Sequence, residues 1–128
     1  MDLSILGSEV DRIYSGEKFF DDLTLKCLQL GVKRFSSDLI RREHCFYGSN
    51  GDLFSRAFPF EMPLEVNPTL NAQRLKDAIA AIDQKEISAI RFVKELAESG
   101  VCAAHVFFEG KRIIYFGLSG DHYVETWN

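Results

Sequence analysis

Proline and cysteine are scarce in this chain of 128 residues, with three of each. Cys27, Cys45 and Cys102 are widely spaced and form no Cys-x-x-Cys, so neither a disulfide framework nor a zinc knuckle is expected, and the thiols read as reduced. Long apolar runs are missing too. A bilayer-crossing helix needs roughly 18 or more apolar residues in a row, and no stretch pairs a strong apolar face with a Lys-rich one, so no membrane partner is expected. The opening MDLSILGSEVDRIYSG has no basic n-region, and Ser4, Gly7 and Glu9 break its apolar run. No signal peptide is expected, and a cytoplasmic location is the default reading. Positive charge is also in deficit. Fifteen Lys and Arg stand against 19 Asp and Glu, a net charge of −4, which lacks the basic excess that binding a phosphate backbone requires. Nucleic acid is therefore not an expected partner.

What is present is an ordinary globular composition, 46% apolar and 27% charged, at the length of one domain, residues 1–128. The chain also repeats itself. Shifted by 69 residues without a gap, LGVKRFSSDLIRREHCFYGSNGD from Leu30 falls on SGVCAAHVFFEGKRIIYFGLSGD from Ser99. Gly31, Val32, Gly48, Gly51 and Asp52 meet identical residues, and Phe46-Tyr47 meets Tyr115-Phe116. Upstream, the same offset puts Leu6, Val10 and Ile13 on Leu75, Ile79 and Ile82. Glycine recurs in turns for conformational reasons alone, but apolar agreement over about 50 residues points to a structural repeat, 1–57 and 69–127.

Each half reads as helix, turn, helix and then a β-meander. Leu75, Ala78, Ile79 and Ile82 follow helical spacing, and Ile87, Ile90, Val93, Leu96 and Ala97 repeat it. Asn67 before Pro68 reads as an N-cap with a first-turn proline, while Gly31 and Gly100 sit where left-handed helix stops are wanted. Residues 101–108 and 111–118 are β-rich around Glu109-Gly110, a two-residue hairpin signal in which the glycine would take positive φ. GSNGD and GLSGD are turns into third strands. Residues 58–68, with all three prolines and Phe58, Phe60, Met62, Leu64 and Val66, read as an ordered crossover. The fold class expected is α+β, with helices on one face of an antiparallel sheet.

The blocks GVKRFSSDL, HCFYGSNGD, AIDQKEISAIRFVKELAESGV and GKRIIYFGLSGDHYVE, in this order and spacing, resemble a family of small enterobacterial prophage-associated proteins of unknown function, the YdfO- and YbcV-like group, sometimes labelled phage envelope protein. The resemblance covers most of the chain. It implies an α+β fold and a bacterial or phage context, and it carries no activity and no catalytic residues.

Site chemistry is sparse. His44-Cys45 could suggest a nucleophile with its base, but neighbours on a strand point to opposite faces. Cys27, between Leu23 and Leu30, and Cys102 read as small core residues. His44, His105 and His122 have no partner at the spacing of known ligand motifs, so no metal and no cofactor is expected. The glycine-rich turns do not open helices and have no following Lys-Ser or Lys-Thr, so they are not phosphate cradles.

The second hairpin carries the most information. With Glu109-Gly110 at its turn, Phe107 faces Arg112, His105 faces Ile114 and Ala103 faces Phe116 on one side, while Val106 faces Ile113 on the other. Helices cover one side only. The other leaves Phe107, Ile114 and Phe116 for a partner, a ligand or the other half, unless residues 58–66 cover it. The matching alternation in the first half carries Arg34, Ser36 and Asp38, with Glu43 nearby, although Ile40-Arg41 is poor chemistry for a positive-φ turn. Arg34, Asp38, His105, Phe107, Arg112 and Phe116 are accordingly the candidate binding face. The expected function is a non-enzymatic binding or regulatory module that uses this face for a protein partner or for self-association. Two alternatives stand beside it: a small-molecule binder or weak hydrolase with His105 and Asp38 as its polar pair, and a phage structural component.

Overall fold

The computed structural model describes residues 2–128. A short 3-10 turn, Leu3–Ile5, leads into α1 (Leu6–Tyr14) and α2 (Phe20–Gln29), followed by strands β1 (Arg34–Asp38), β2 (Glu43–Tyr47) and β3 (Leu53–Ala57). The second half runs α3 (Ala72–Asp83), α4 (Ala89–Glu98), β4 (Val101–Phe107), β5 (Arg112–Gly117) and β6 (His122–Thr126). An offset of 69 carries α2 onto α4 and β3 onto β6 end for end. This is the α+β architecture expected, with both halves built alike.

Local chemistry sets the helix limits. Asp22 reaches back to accept from the Phe19 amide at 2.8 Å, Asn71 Oδ1 accepts from Arg74 N at 3.0 Å, and Ser88 Oγ accepts from Arg91 N at 3.1 Å. Each satisfies a donor that a helix start leaves orphaned. Asn71, not Asn67, caps α3. Asn67 instead folds its side chain onto Thr69 N, an Asx turn that keeps the prolyl segment extended before the helix begins. Gly31 and Gly100 end α2 and α4 at φ +78° and +93°, the left-handed stop expected of them.

All six strands form one antiparallel sheet in the order β3-β2-β1-β4-β5-β6. The two meanders meet at β1 and β4, where Ser36 pairs with His105. These two positions are also equivalents under the 69-residue offset, and Arg34↔Phe107 maps onto Asp38↔Ala103 in the same way. A pseudo-twofold axis therefore passes through the Ser36–His105 pair, perpendicular to the sheet.

The hairpin pairing expected for β4 and β5 is found residue for residue, from Ala103↔Phe116 to Phe107↔Arg112. The turn chemistry differs. Positive φ falls on Lys111 (52°) and on its equivalent Arg42 (62°), not on Gly110. The first loop residues, Leu39 and Phe108, are buried in the core, so each loop takes four residues and completes its reversal at the last. Ile40 and Arg41 thereby avoid positive φ, and the Asp38 carboxylate accepts from both their amides, at 2.9 and 3.0 Å.

One apolar core joins the halves. Leu6, Val10, Ile13, Leu23 and Cys27 meet Leu75, Ile79, Phe92, Val93 and Leu96 over Phe35, Phe46, Val106 and Tyr115 of the sheet. The crossover lies on this same side. Phe58 and Phe60 stack on each other at 5.5 Å and pack on Tyr14, Arg42 donates to the Met62 carbonyl at 2.7 Å, and Asn67 N donates to Ala97 O. Residues 58–66 thus serve the helical layer and leave the opposite sheet face uncovered among the described residues.

Candidate functional site: the open sheet face

Alternation along six registered strands places one residue in two on the face away from the helices. Three rows result. The middle row runs Ser55, Cys45, Ser36, His105, Ile114 and Val124. On one side of it lie Leu53, Tyr47, Arg34, Phe107, Arg112 and Thr126. On the other lie Ala57, Glu43, Asp38, Ala103, Phe116 and His122. All six residues singled out from the sequence, Arg34, Asp38, His105, Phe107, Arg112 and Phe116, are on this face.

The face is ordered by its own contacts. The Arg34 guanidinium lies 3.7 Å over the Tyr47 ring, which engages its flat face and leaves its N–H edge for an acceptor. His105 stacks on Phe107 at 6.3 Å and meets Phe116 edge-on at 5.5 Å. Burial among these rings, and then the nearby Arg34 cation, hold His105 below the usual imidazole range, against a smaller opposing pull from Asp38. A neutral imidazole at neutral pH follows. At the edges, Leu53 is 60% and Val124 38% exposed, so apolar surface reaches both ends of a sheet roughly 24 Å across.

The charges are segregated by row. Arg34 and Arg112 share one outer row and Asp38 and Glu43 the other. Glu43 pairs with Arg41 at 3.0 Å, and Asp38 uses Oδ1 on its hairpin amides. Among the described residues neither Arg34 nor Arg112 has a carboxylate at ion-pair distance. Cys45 Sγ lies 3.7 Å from Ser55 Oγ on the same face. His44 is on the opposite one, so the two neighbours cannot act together, as expected.

A second polar group is not apparent from the sequence. His44 is buried in the core, its Nε2 2.9 Å from the Tyr14 hydroxyl and its Nδ1 2.7 Å from Ser37 Oγ, and burial lowers its pKa to about 3. Burial also pushes the Tyr14 phenol up. Phe58, at 4.8 Å from the imidazole, closes over the group, which leaves it fully satisfied and without room for a substrate. Its signal in the sequence is the register itself, which pairs Ser37 with His44 on the inner face. The repeat gives no help, because the positions equivalent to Tyr14, Ser37 and His44 are Asp83, Val106 and Ile113. There the second half instead buries Tyr115, whose hydroxyl donates to Glu125 at 3.0 Å, with burial raising both groups.

No group of three or more His, Cys, Asp or Glu side chains among the described residues is placed to hold a metal ion. Nor is any helix there long and apolar enough to cross a membrane. A concavity of about 490 Å³ lies along the crossover, between residues 62–68 and Arg74, Lys94 and Glu98. No family model matches the chain, and no curated protein matches it.

Proposed function

We propose that this chain is a small non-enzymatic binding module of prophage type, whose open sheet face takes up a protein partner. One observation carries the reading: helices and crossover all pack on one side of the sheet, while Tyr47, Phe107, Ile114, Phe116 and Val124 lie on the other. Apolar and aromatic surface of this extent, interleaved with arginines and left without a covering element among the described residues, is the composition of interface centres. An open face six strands wide also suits a protein better than a small molecule, which favours a concave pocket. The hydrolytic alternative requires Asp38 to serve His105, whereas the register partner of His105 is Ser36 and that of Asp38 is Ala103, and the hydrogen bonds the Asp38 side chain accepts come from the hairpin amides.

The test is native mass spectrometry on the wild-type chain beside Phe107→Asp and Phe116→Asp, both checked for an unchanged fold by circular dichroism. A charge in the middle of an apolar contact should remove every complex the wild type forms. Folded variants that keep all of those complexes would overturn the reading.

A further inference from the structure

Resting on the open face as a binding surface, we infer that its occupant is a second copy of this chain, stacked face to face about a twofold axis that runs across the strands along the middle row. The argument is charge and size complementarity of the face with itself. Such an axis keeps each strand over its own copy but reverses it, so each outer row lies over the other outer row.

Arg34 then stands over Asp38 of the second copy, and Asp38 over Arg34. The two residues are four apart on β1, about 13 Å, and stacked sheets sit about 10 Å apart, a gap that an arginine and an aspartate reaching from opposite sides can close. The stack on Tyr47 leaves the guanidinium edge free for this bond, and Asp38 retains Oδ2 beyond the oxygen its hairpin uses. Arg112 lies over the Phe116 ring, a cation–π arrangement. Large faces small at two further pairs, Phe107 over Ala103 and Leu53 over Ala57, while Tyr47 lies over Glu43, which Arg41 already pairs, and Thr126 over His122 at the edge. Along the axis itself, Ser36 and Cys45 are small enough for close approach, and His105 meets its own copy as a neutral ring.

The other in-plane twofold, parallel to the strands, fails the same comparison. It lays Arg34 over Phe107 and Asp38 over Ala103, so neither Arg34–Asp38 pair forms and Asp38 is covered without a facing cation, a costly outcome. The contact is isologous, so every pair occurs twice and closes at two copies.

The experiment is sedimentation velocity over a hundredfold concentration range with the wild type, Arg34→Glu, Asp38→Lys and an equimolar mixture of the two variants. Each variant alone places like charges at both pairs, and its dimer should weaken at least about tenfold. In the mixture the two substituted positions face each other with opposite charges reversed in sense, while the native Arg34 of one variant faces the native Asp38 of the other. Both pairs are thereby restored, and the mixture should dimerise again. Asp38→Asn keeps the hairpin acceptor while removing the charge, and should weaken the dimer without lowering the melting temperature appreciably. A wild type that is monomeric at hundreds of micromolar overturns the second copy as occupant and leaves the face free for another protein. A dimer lost in Phe107→Asp but indifferent to all three charge variants overturns this axis while the face reading stands. A dimer that survives Phe107→Asp and Phe116→Asp removes both.

Discussion

Ser36 and His105 are partners across the central strand pair and equivalents in the two repeats. Because each occupies the position on its own meander that the other occupies on the second, the twofold relation between the halves passes between them. The side chains there have diverged, one a small hydroxyl and the other an aromatic base. The same divergence runs outward: Glu43 corresponds to Arg112, and Asp38 to Phe107. A duplicated backbone thus presents a face whose halves differ, polar around β1 and β2 and aromatic around β4 and β5.

Acid should destabilise the fold through His44. Its native pKa of about 3 lies below the ordinary 6.5, so the unfolded chain binds the proton more readily, and stability present above about pH 6.5 is lost as pH falls. One such group contributes a slope of about 1.4 kcal/mol per pH unit between those values, roughly 2 kcal/mol from pH 6.5 to 5. Urea unfolding at pH 7 and pH 5 measures it. His44→Gln should be less stable at pH 7 and should lose most of this slope; an unchanged slope in that variant would place its source elsewhere.

Two equivalent glycines separate backbone strain from crowding. A Cβ at Gly31 meets nothing within 4 Å, whereas one at Gly100 would overlap the Thr69 carbonyl oxygen at the start of the second repeat. Both have positive φ. Gly31→Ala should therefore cost about 1–2 kcal/mol, the left-handed penalty alone, and Gly100→Ala clearly more. Chemical denaturation of the two variants compares them directly, and equal costs would mean that Thr69 moves aside freely.

The elements and the face are legible in the sequence because they rest on periodicity. The 3.6-residue spacing of Leu75, Ala78, Ile79 and Ile82 marks α3, and strict alternation from Ala103 puts Phe107 and His105 on one side whatever the turn does. What is not legible depends on neighbours far apart in sequence. Tyr14 finds His44 only because α1 crosses above β2, 30 residues on. The positive φ of Lys111 follows from Phe108 being anchored in the core, which a two-residue turn motif does not foresee. Asn67 misleads for a related reason: the extended prolyl segment bonds to Ala97 before the chain can turn into α3.

Asp38 should matter to the fold as well as to the face. Its carboxylate holds the amides of Ile40 and Arg41, and beyond the buried Leu39 the loop leaves Ile40 62% exposed, so its tip has little apolar burial to fix it. Asp38→Ala should cost about 1 kcal/mol, as capping losses do, whereas Asp38→Asn should cost little. Thermal melts of the two variants test this, and equal losses would assign the effect to charge.

Cysteine reactivity should report on both core and interface. Cys27 is buried, and burial pushes its thiol up to about 12, so it should react only on unfolding. Cys102 is held up mainly by burial and then by Asp38, and should react slowly. Cys45 is half-buried on the open face beside Ser55 and should be the first thiol modified by a colorimetric disulfide reagent. In the face-to-face dimer Cys45 lies on the axis against its own copy, so its labelling rate should fall as protein concentration rises through the dimerisation range. In Arg34→Glu the fall should move to concentrations at least about tenfold higher. If wild-type Cys45 reacts at one rate from monomer to dimer, the dimer contact must lie on another surface.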